Sequence, residues 1–351
     1  MKRKMLPDNF SELIASGDMA VLMEVYRTCR IDAYRGRTIK ETALALPGCP
    51  DELARWLVGQ GLDVDIHDAQ GSTPLTLRAR RGESIDVLIE LGADVNAPGG
   101  RYTESPLHEA IFRPKVVQTL IAHGADIHAT DYRGRTPLAR GLNDCQNAYI
   151  SAFALSARLL ISAGAVPPAD SAKLVERIGA SFEFYRDPRN PGHMDRGAVG
   201  LAELYTMFGV TPVARREMHD GTSPIVVTAT RWADQFGELN DLLVPGAGAA
   251  TTQQGEVIRL AGNISHEICV NGSINWRNEH RRSVDALIMA LATGTPTASA
   301  EDLAALRAIV RPGRPDKITM DATDRLKELA VGWVLVNPHP TANPALGNGA
   351  Q

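Results

Sequence analysis

The chain has four cysteines in 351 residues, Cys29, Cys49, Cys145 and Cys269, and no C-x-x-C pair among them. That scatter argues against a zinc knuckle and a disulfide framework, and it leads us to expect a reducing compartment. No apolar run approaches the ~18 residues that could cross a bilayer. Met1-Lys2-Arg3-Lys4 has the charge of a secretory n-region, but Asp8 and Glu12 fall where an apolar stretch would be needed, so no signal peptide and a cytoplasmic location are expected. A formal charge of −4 gives no general attraction to nucleic acid or anionic membrane, so neither is expected as a partner. Two local groups of cations, Arg78, Arg80 and Arg81, and Arg277, His280, Arg281 and Arg282, read as solvated helix faces. Catalytic signatures are missing too. There is no G-x-S-x-G, and no Cys or Ser has a His that the sequence marks as its partner. His266-Glu267 fails as a zincin helix because Val270 stands where the second His is needed. Gly246-Ala247-Gly248-Ala249 is not followed by the Lys-Ser/Thr of a phosphate loop. No cofactor and no metal site are expected.

What is present is a repeat. Thr73-Pro74-Leu75 opens a unit that closes on Gly92-Ala93-Asp94-Val95. Thr can cap free N–H groups, and Pro suits a first helical position because its missing N–H is not needed there. The closing Gly sits where a helix ends in positive φ. Ser105-Pro106-Leu107 to Gly124-Ala125-Asp126-Ile127 repeats the pattern, and Thr42-Ala43-Leu44 to Gly61-Leu62-Asp63-Val64 is a weaker copy with the same spacing. Thr136-Pro137-Leu138 opens a further unit that ends at Gly164-Ala165-Val166. Before each closing Gly stands an apolar pair: Leu57-Val58, Leu88-Ile89, Leu120-Ile121 and Leu160-Ile161. Such a column cannot be covered by one unit alone, so neighbouring units must stack over it. These units resemble the ankyrin repeat. The resemblance extends over about residues 9–168, with 9–37 as a terminal unit in which Ser16-Gly17-Asp18 separates two short helices. The last unit carries a surplus around Gly141 to Asn147, either a binding loop or a spacer that seats the next domain.

In the ankyrin family the hairpin tips and the concave helix face contact partner proteins. The resemblance therefore implies contact through Gln70, Arg101, Tyr102, Asp131, Tyr132 and Arg133, residue types that include those enriched at binding hot spots. The alternative for Asp131 and Arg133 is that they only build the hairpin.

Pro167-Pro168 marks the expected end of the repeats. Beyond it, helices are expected over Ser171 to Ile178, Ala198 to Phe208, Pro224 to Phe236, Ala249 to Val270, Ser283 to Leu291, Ser299 to Val310 and Asp321 to Val336, with a loop from Arg186 to Arg196. Glu256, Arg259, Asn263 and His266 or Glu267 succeed one another at three- or four-residue steps on one helix face. They could bind an anion or perform acid–base work, or they could fix the helix against its neighbours. Glu238 to Pro245, Gln254 to Arg259 and Asn271 to Trp276 resemble a pattern in uncharacterised bacterial proteins, some associated with toxin-like genes, for which no catalytic role is carried over.

The expected fold is all-α: an ankyrin-repeat solenoid over 1–168, an α-helical domain over 169–338, and a disordered tail over 339–351. The expected function is non-enzymatic binding of a partner protein, in its narrowest form occlusion of a toxin by an immunity- or antitoxin-like protein. The rival is an effector or toxin whose helical half is an enzyme. A plain scaffold is a third reading.

Overall fold

The computed structural model describes residues 2–100, 104–186, 191–269, 278–293, 299–309 and 320–343. Two compact units emerge: Met1–Phe182 with Pro188–Val213, and Glu183–Asp187 with Ala214–Gln351. Both are mainly helical, as the repeat and the amphipathic spacing require.

The first unit begins with a helix pair, α1 (Phe10–Ser16) and α2 (Met19–Thr28), separated at Gly17. The Asp18 carboxylate accepts from the Ala20 and Val21 N–H groups at 3.0 and 3.2 Å and so starts α2. A small sheet accompanies the pair. Strand β1 (Arg3–Met5) runs parallel to β2 (Cys29–Arg35), which pairs antiparallel with β3 (Glu41–Thr42). Helical spacing in residues 9–37 gave no sign of this sheet, because three of its residues come from the charged N-terminal run.

Three helix pairs match the pattern read from sequence: α4 (Pro74–Arg81) with α5 (Asp86–Glu90), α6 (Pro106–Glu109) with α7 (Pro114–Ala122), and α8 (Pro137–Asp144) with α9 (Ile150–Ser162). The side-chain oxygens of Thr73, Ser105 and Thr136 accept from the N–H groups of Thr76, His108 and Ala139. The closing glycines Gly61, Gly92, Gly124 and Gly164 take φ between 82° and 103°, the left-handed region that a side chain would strain. Leu57, Leu88, Leu120 and Leu160 are fully buried along the stacking seam. Adjacent repeats are also tied by backbone groups: the Asp94 N–H donates to Asp65 at 3.0 Å, and the Asp126 N–H to Asn96 at 2.7 Å.

The unit opened by Thr42 departs from the pattern. Ala43–Ala45 makes only a 3-10 turn before α3 (Asp51–Gly59), which leaves main-chain carbonyls without helical donors. Arg78 supplies them from the next repeat. It donates through Nε to the Leu44 carbonyl at 2.8 Å and through Nη2 to that of Cys49 at 3.4 Å. Its exposure is 3%, so the expectation of a solvated face fails for this residue. Arg81 is half-buried and pairs with Glu83 at 2.7 Å, while Arg80 alone of the three is exposed. Of the second basic group, Arg282 is exposed; Arg277 and the side chains of His280 and Arg281 lie outside the described residues.

Two further helices, α10 (Ser171–Phe184) and α11 (Pro191–Phe208), begin after Pro168, yet α10 through Phe182 and all of α11 belong to the first unit. The boundary expected at 168 is thus displaced. α11 packs on α9 so closely that a Cβ on Gly200 would stand 2.7 Å from the Ser151 backbone. The surplus residues of the last repeat meet α10: Arg177 donates to the Asn143 carbonyl at 2.8 Å, and Asn147 donates to the Ser181 carbonyl at 3.1 Å. Of its two readings, the spacer that seats the next segment is the one these contacts favour. Part of the loop expected over Arg186 to Arg196 is helical from Pro191, because Pro is acceptable in a first turn; residues 187–190 lie outside the described ones.

The second unit contains α12 (Trp232–Leu243), α13 (Gln253–Cys269), α14 (Asn278–Thr293), α15 (Ala300–Ile309) and α16 (Met320–Val336). α13 packs against α12, α14 and α16, and its Val257, Ala261, Ile264 and Ile268 stripe is buried. Pro224 to Arg231 is not helical, contrary to expectation. The Glu238 carboxylate takes the Thr228 and Ala229 N–H groups at 2.9 Å each, and the Ile225 N–H goes to the Pro338 carbonyl at 2.7 Å. Those donors are then not free to form a helix. The segment expected as a disordered tail is held as far as Asn343. The Gln254 amide, 1% exposed, donates to the carbonyls of Asn337 and His339 at 3.1 and 2.7 Å and accepts the Thr341 N–H at 3.0 Å. Residues 344–351 lie outside the described ones.

Candidate protein-binding face

Asp68 and Asp131 define the hairpin tips. Asp68 Oδ1 accepts the N–H groups of Gln70 and Ser72 at 2.8 and 2.9 Å, and Asp131 Oδ1 accepts those of Arg133 and Arg135 at 2.9 Å each. The second Asp131 oxygen pairs with Arg135 at 2.8 Å. Burial raises the Asp131 carboxyl, but the hydrogen bonds from Arg135 and Arg133 outweigh it and hold it below the ordinary value. Asp131 is 5% exposed, so it builds the turn and is not free to meet a partner. Arg133 divides its roles: its N–H closes the turn, while its guanidinium lies 5.1 Å from the Tyr132 ring centre. Tyr132 is 50% exposed, and Gln70 is exposed. Arg101 and Tyr102 lie outside the described residues. The hairpins join edge to edge, with the Ala69 N–H donating to the Ile39 carbonyl at 2.7 Å and the Gly100 N–H to the Gly71 carbonyl at 2.9 Å.

Behind the tips lies a charged network that the sequence reading missed. His108 Nδ1 accepts from the Ser105 N–H, which leaves Nε2 to donate to the Arg135 carbonyl at 2.9 Å. Burial lowers the His108 pKa, in keeping with this neutral ring. Glu104 is 8% exposed and stands 3.5 Å from Arg140, which also approaches Asp144 at 3.5 Å. Burial, with a hydrogen bond to the Glu109 carboxyl, pushes Glu104 up to about 7 in spite of Arg140. Two carboxyl groups can share a hydrogen bond only when one is protonated. A raised carboxyl pKa contributes stability in full below the unfolded value of 4.5 and loses it as pH rises through about 7. Glu104→Gln should therefore match the parent chain near pH 4.5 and exceed it at pH 8 by roughly 1–3 kcal/mol, measured by urea unfolding at both values. Equal differences at the two pH values would contradict this protonation state.

On α13 the expected polar face is partly formed. Arg259 Nε donates to Glu256 at 2.8 Å, and this bond raises the Arg259 pKa. Glu256 also accepts the Ala250 N–H at 2.9 Å, which fixes the lead into the helix. Asn263 and His266 are exposed, whereas Glu267 is buried at 5% exposure. The structure thus brings Glu256 and Arg259 together as a closed pair. A cavity of about 320 Å³ lies in the first unit, lined in part by Ser151, Leu155, Val199 and Gly200, and none of the α13 polar residues lines it. The motif Gln254-Gly255-Glu256 has a structural account throughout: Gln254 holds residues 337–341, and a Cβ on Gly255 would stand 2.7 Å from the Leu243 carbonyl oxygen.

One local grouping has the residue types of a nucleophilic site. Ser223 Oγ is 3.5 Å from His219 Nε2, but it donates to Asp220 at 2.9 Å. His219 Nδ1 accepts the Gly221 N–H at 3.0 Å, so Nε2 carries the hydrogen and cannot take a proton from Ser223. The group is a turn, and the N–H groups of Thr222 and Ser223 hold Asp220 well below the usual carboxylate range. Burial raises the Cys49 thiol to about 11 and the Cys145 thiol to about 12, away from nucleophilic chemistry. Among the described residues, no group of three or more His, Cys, Asp or Glu side chains could hold a metal, and no helix is long and apolar enough to cross a membrane.

Stacked helix pairs with capped Thr/Ser-Pro-Leu starts and hairpins joined edge to edge define the class, and comparison with known proteins agrees. The family model described as Ankyrin repeats (3 copies) matches residues 43–131, so this part of the chain is a set of ankyrin repeats. XBAT35 of Arabidopsis thaliana is 40% identical over 90 residues, 24% of this chain and 20% of that protein. Mouse Rabankyrin-5 is 33% identical over 120 residues, 29% of this chain and 10% of its own length. The mouse B-cell lymphoma 3 protein homolog is 30% identical over 96 residues, 26% of this chain and 21% of its own length. The chain therefore spans about a tenth to a fifth of these relatives. Nothing in these matches supports the expected bacterial toxin-immunity relationship of the helical half.

Proposed function

We propose that this chain is a protein-binding module without catalytic activity of its own, and that a partner protein docks on the hairpin edge and concave side of the first unit. The observation that carries this reading is the tip formed by Tyr132 and Arg133. The turn is closed by Asp131 and backbone groups, and the Tyr132 and Arg133 side chains are exposed. An aromatic ring and a guanidinium stacked on a rigid turn lose little freedom on binding, which is the character of a hot spot. The Tyr132→Ala/Arg133→Ala double variant should bind the partner at least about tenfold more weakly with an unchanged melting temperature, as read by calorimetric titration. Unchanged affinity would remove this surface from the reading.

The narrower form of the proposal is an immunity- or antitoxin-like protein that occludes a toxin. Its support is the resemblance of Glu238 to Trp276 to uncharacterised bacterial proteins. It requires a partner that is toxic when produced alone and harmless when this chain is produced with it.

A further inference from the structure

We infer that the hairpin edge of the first unit is a basic, aromatic-backed surface that takes an acidic segment of a partner protein. This rests on the protein-binding reading above and adds the chemistry of the partner. The observation is which charges on this edge have partners. Asp68 and Asp131 each give Oδ1 to turn N–H groups, and the second Asp131 oxygen is held by Arg135. Arg35, Arg37 and Lys40 in the β2–β3 hairpin and Arg133 in the last hairpin are all exposed, and among the described residues none is paired with a carboxylate. The same arrangement recurs at both ends of the edge: Lys40 lies over the Tyr34 ring at 5.8 Å, and Arg133 over the Tyr132 ring at 5.1 Å.

Lys40 carries a second sign of use. Its φ is 62°, the one non-glycine residue with positive φ among those described, and a lysine there costs backbone strain that glycine would avoid. The hydrogen bonds between adjacent hairpins make the edge continuous at the Ile39–Ala69 and Gly71–Gly100 steps, so an extended segment could cross several tips. Cations without carboxylate partners, on a chain whose net charge is −4, concentrate positive potential on this edge. Four cations interleaved with tyrosines and with exposed Gln70 and Ile39 suit carboxylates set among apolar side chains, and they fall short of the longer basic tracks that hold a nucleic-acid backbone.

The test uses the full chain and fluorescence anisotropy with three labelled probes. These are a short peptide alternating Glu and Leu, its Lys and Leu counterpart, and a single-stranded oligonucleotide of the same charge as the acidic peptide. The parent chain should prefer the acidic peptide over the basic one by at least about tenfold, with affinity falling as salt rises. Arg37→Glu/Lys40→Glu should invert the preference, and Arg37→Gln/Lys40→Gln should abolish it, with melting temperatures within a degree or two of the parent because both sites are exposed. No preference in the parent, a preference unmoved by these variants, or tighter binding of the oligonucleotide would each overturn the inference. The tested residues lie in the first hairpin and the variants of the proposed function in the last. A chain that loses its partner through Tyr132 and Arg133 but shows no preference for acidic peptide would leave the binding module standing and remove only this partner chemistry.

Discussion

Arg78→Met should lower the unfolding free energy of the first unit by about 2–4 kcal/mol, whereas Arg80→Met on the same helix should change it by less than about 0.5. The contrast arises from what each guanidinium touches. Arg80 is exposed and stands 3.7 Å from Glu109, a pairing of little weight in water. Arg78 is buried against the 3-10 turn of the preceding repeat and serves the carbonyls of Leu44, Cys49 and Ser84. Methionine fills similar space but has no donors, so those carbonyls would remain desolvated and unpaired. Urea unfolding gives the free energy, and hydrogen exchange over residues 43–59 localises it. Equal effects of the two substitutions would show that Arg78 is not the device that compensates the short turn.

The second large effect is expected at Gln254. Gln254→Leu keeps the size of the side chain but removes two donors and one acceptor that hold Asn337, His339 and Thr341. The loss should be about 2–4 kcal/mol in the second unit, with residues 337–343 released. Limited proteolysis separates the two parts of the claim: cleavage near His339 should appear in the variant well before any cut in α13. Gln254→Glu should be nearly as damaging, because a carboxylate cannot donate to two carbonyls. If cleavage at 337–343 is as fast in the parent chain, the amide does not hold the segment.

These two residues also show where sequence reading stops. The stacking seam was legible because Leu57, Leu88, Leu120 and Leu160 recur at one place in each unit, and repetition turns an apolar residue into a position in a stack. Caps were legible because Thr-Pro and Ser-Pro act on their own next few N–H groups. Arg78 and Gln254 were not, since each is a polar residue whose partner is a main-chain carbonyl more than 25 residues away, and nothing in its own neighbourhood marks it as buried. The sheet escaped for a related reason: its register depends on a pairing between Arg3 and Cys29 that leaves no local period. At the hairpin tips, spacing singled out Asp131, Tyr132 and Arg133 together but could not divide them. The structure does so by burying Asp131 and leaving Tyr132 exposed. On α13, the three- and four-residue steps correctly placed Glu256 beside Arg259, but they could not show that Glu267 is buried while Asn263 and His266 are exposed.

The central claim is that this chain works by holding a partner on its repeat face. The most direct measurement is a calorimetric titration of one purified partner against three forms of the full chain: the parent, Tyr132→Ala/Arg133→Ala, and Glu256→Ala/Arg259→Ala. The expected result is a loss of at least about tenfold in affinity for the hairpin variant and none for the α13 variant, with both variants melting as folded proteins. A partner that ignores the hairpin substitutions and is lost when Glu256 and Arg259 are removed would contradict the claim and move the functional surface to the second unit.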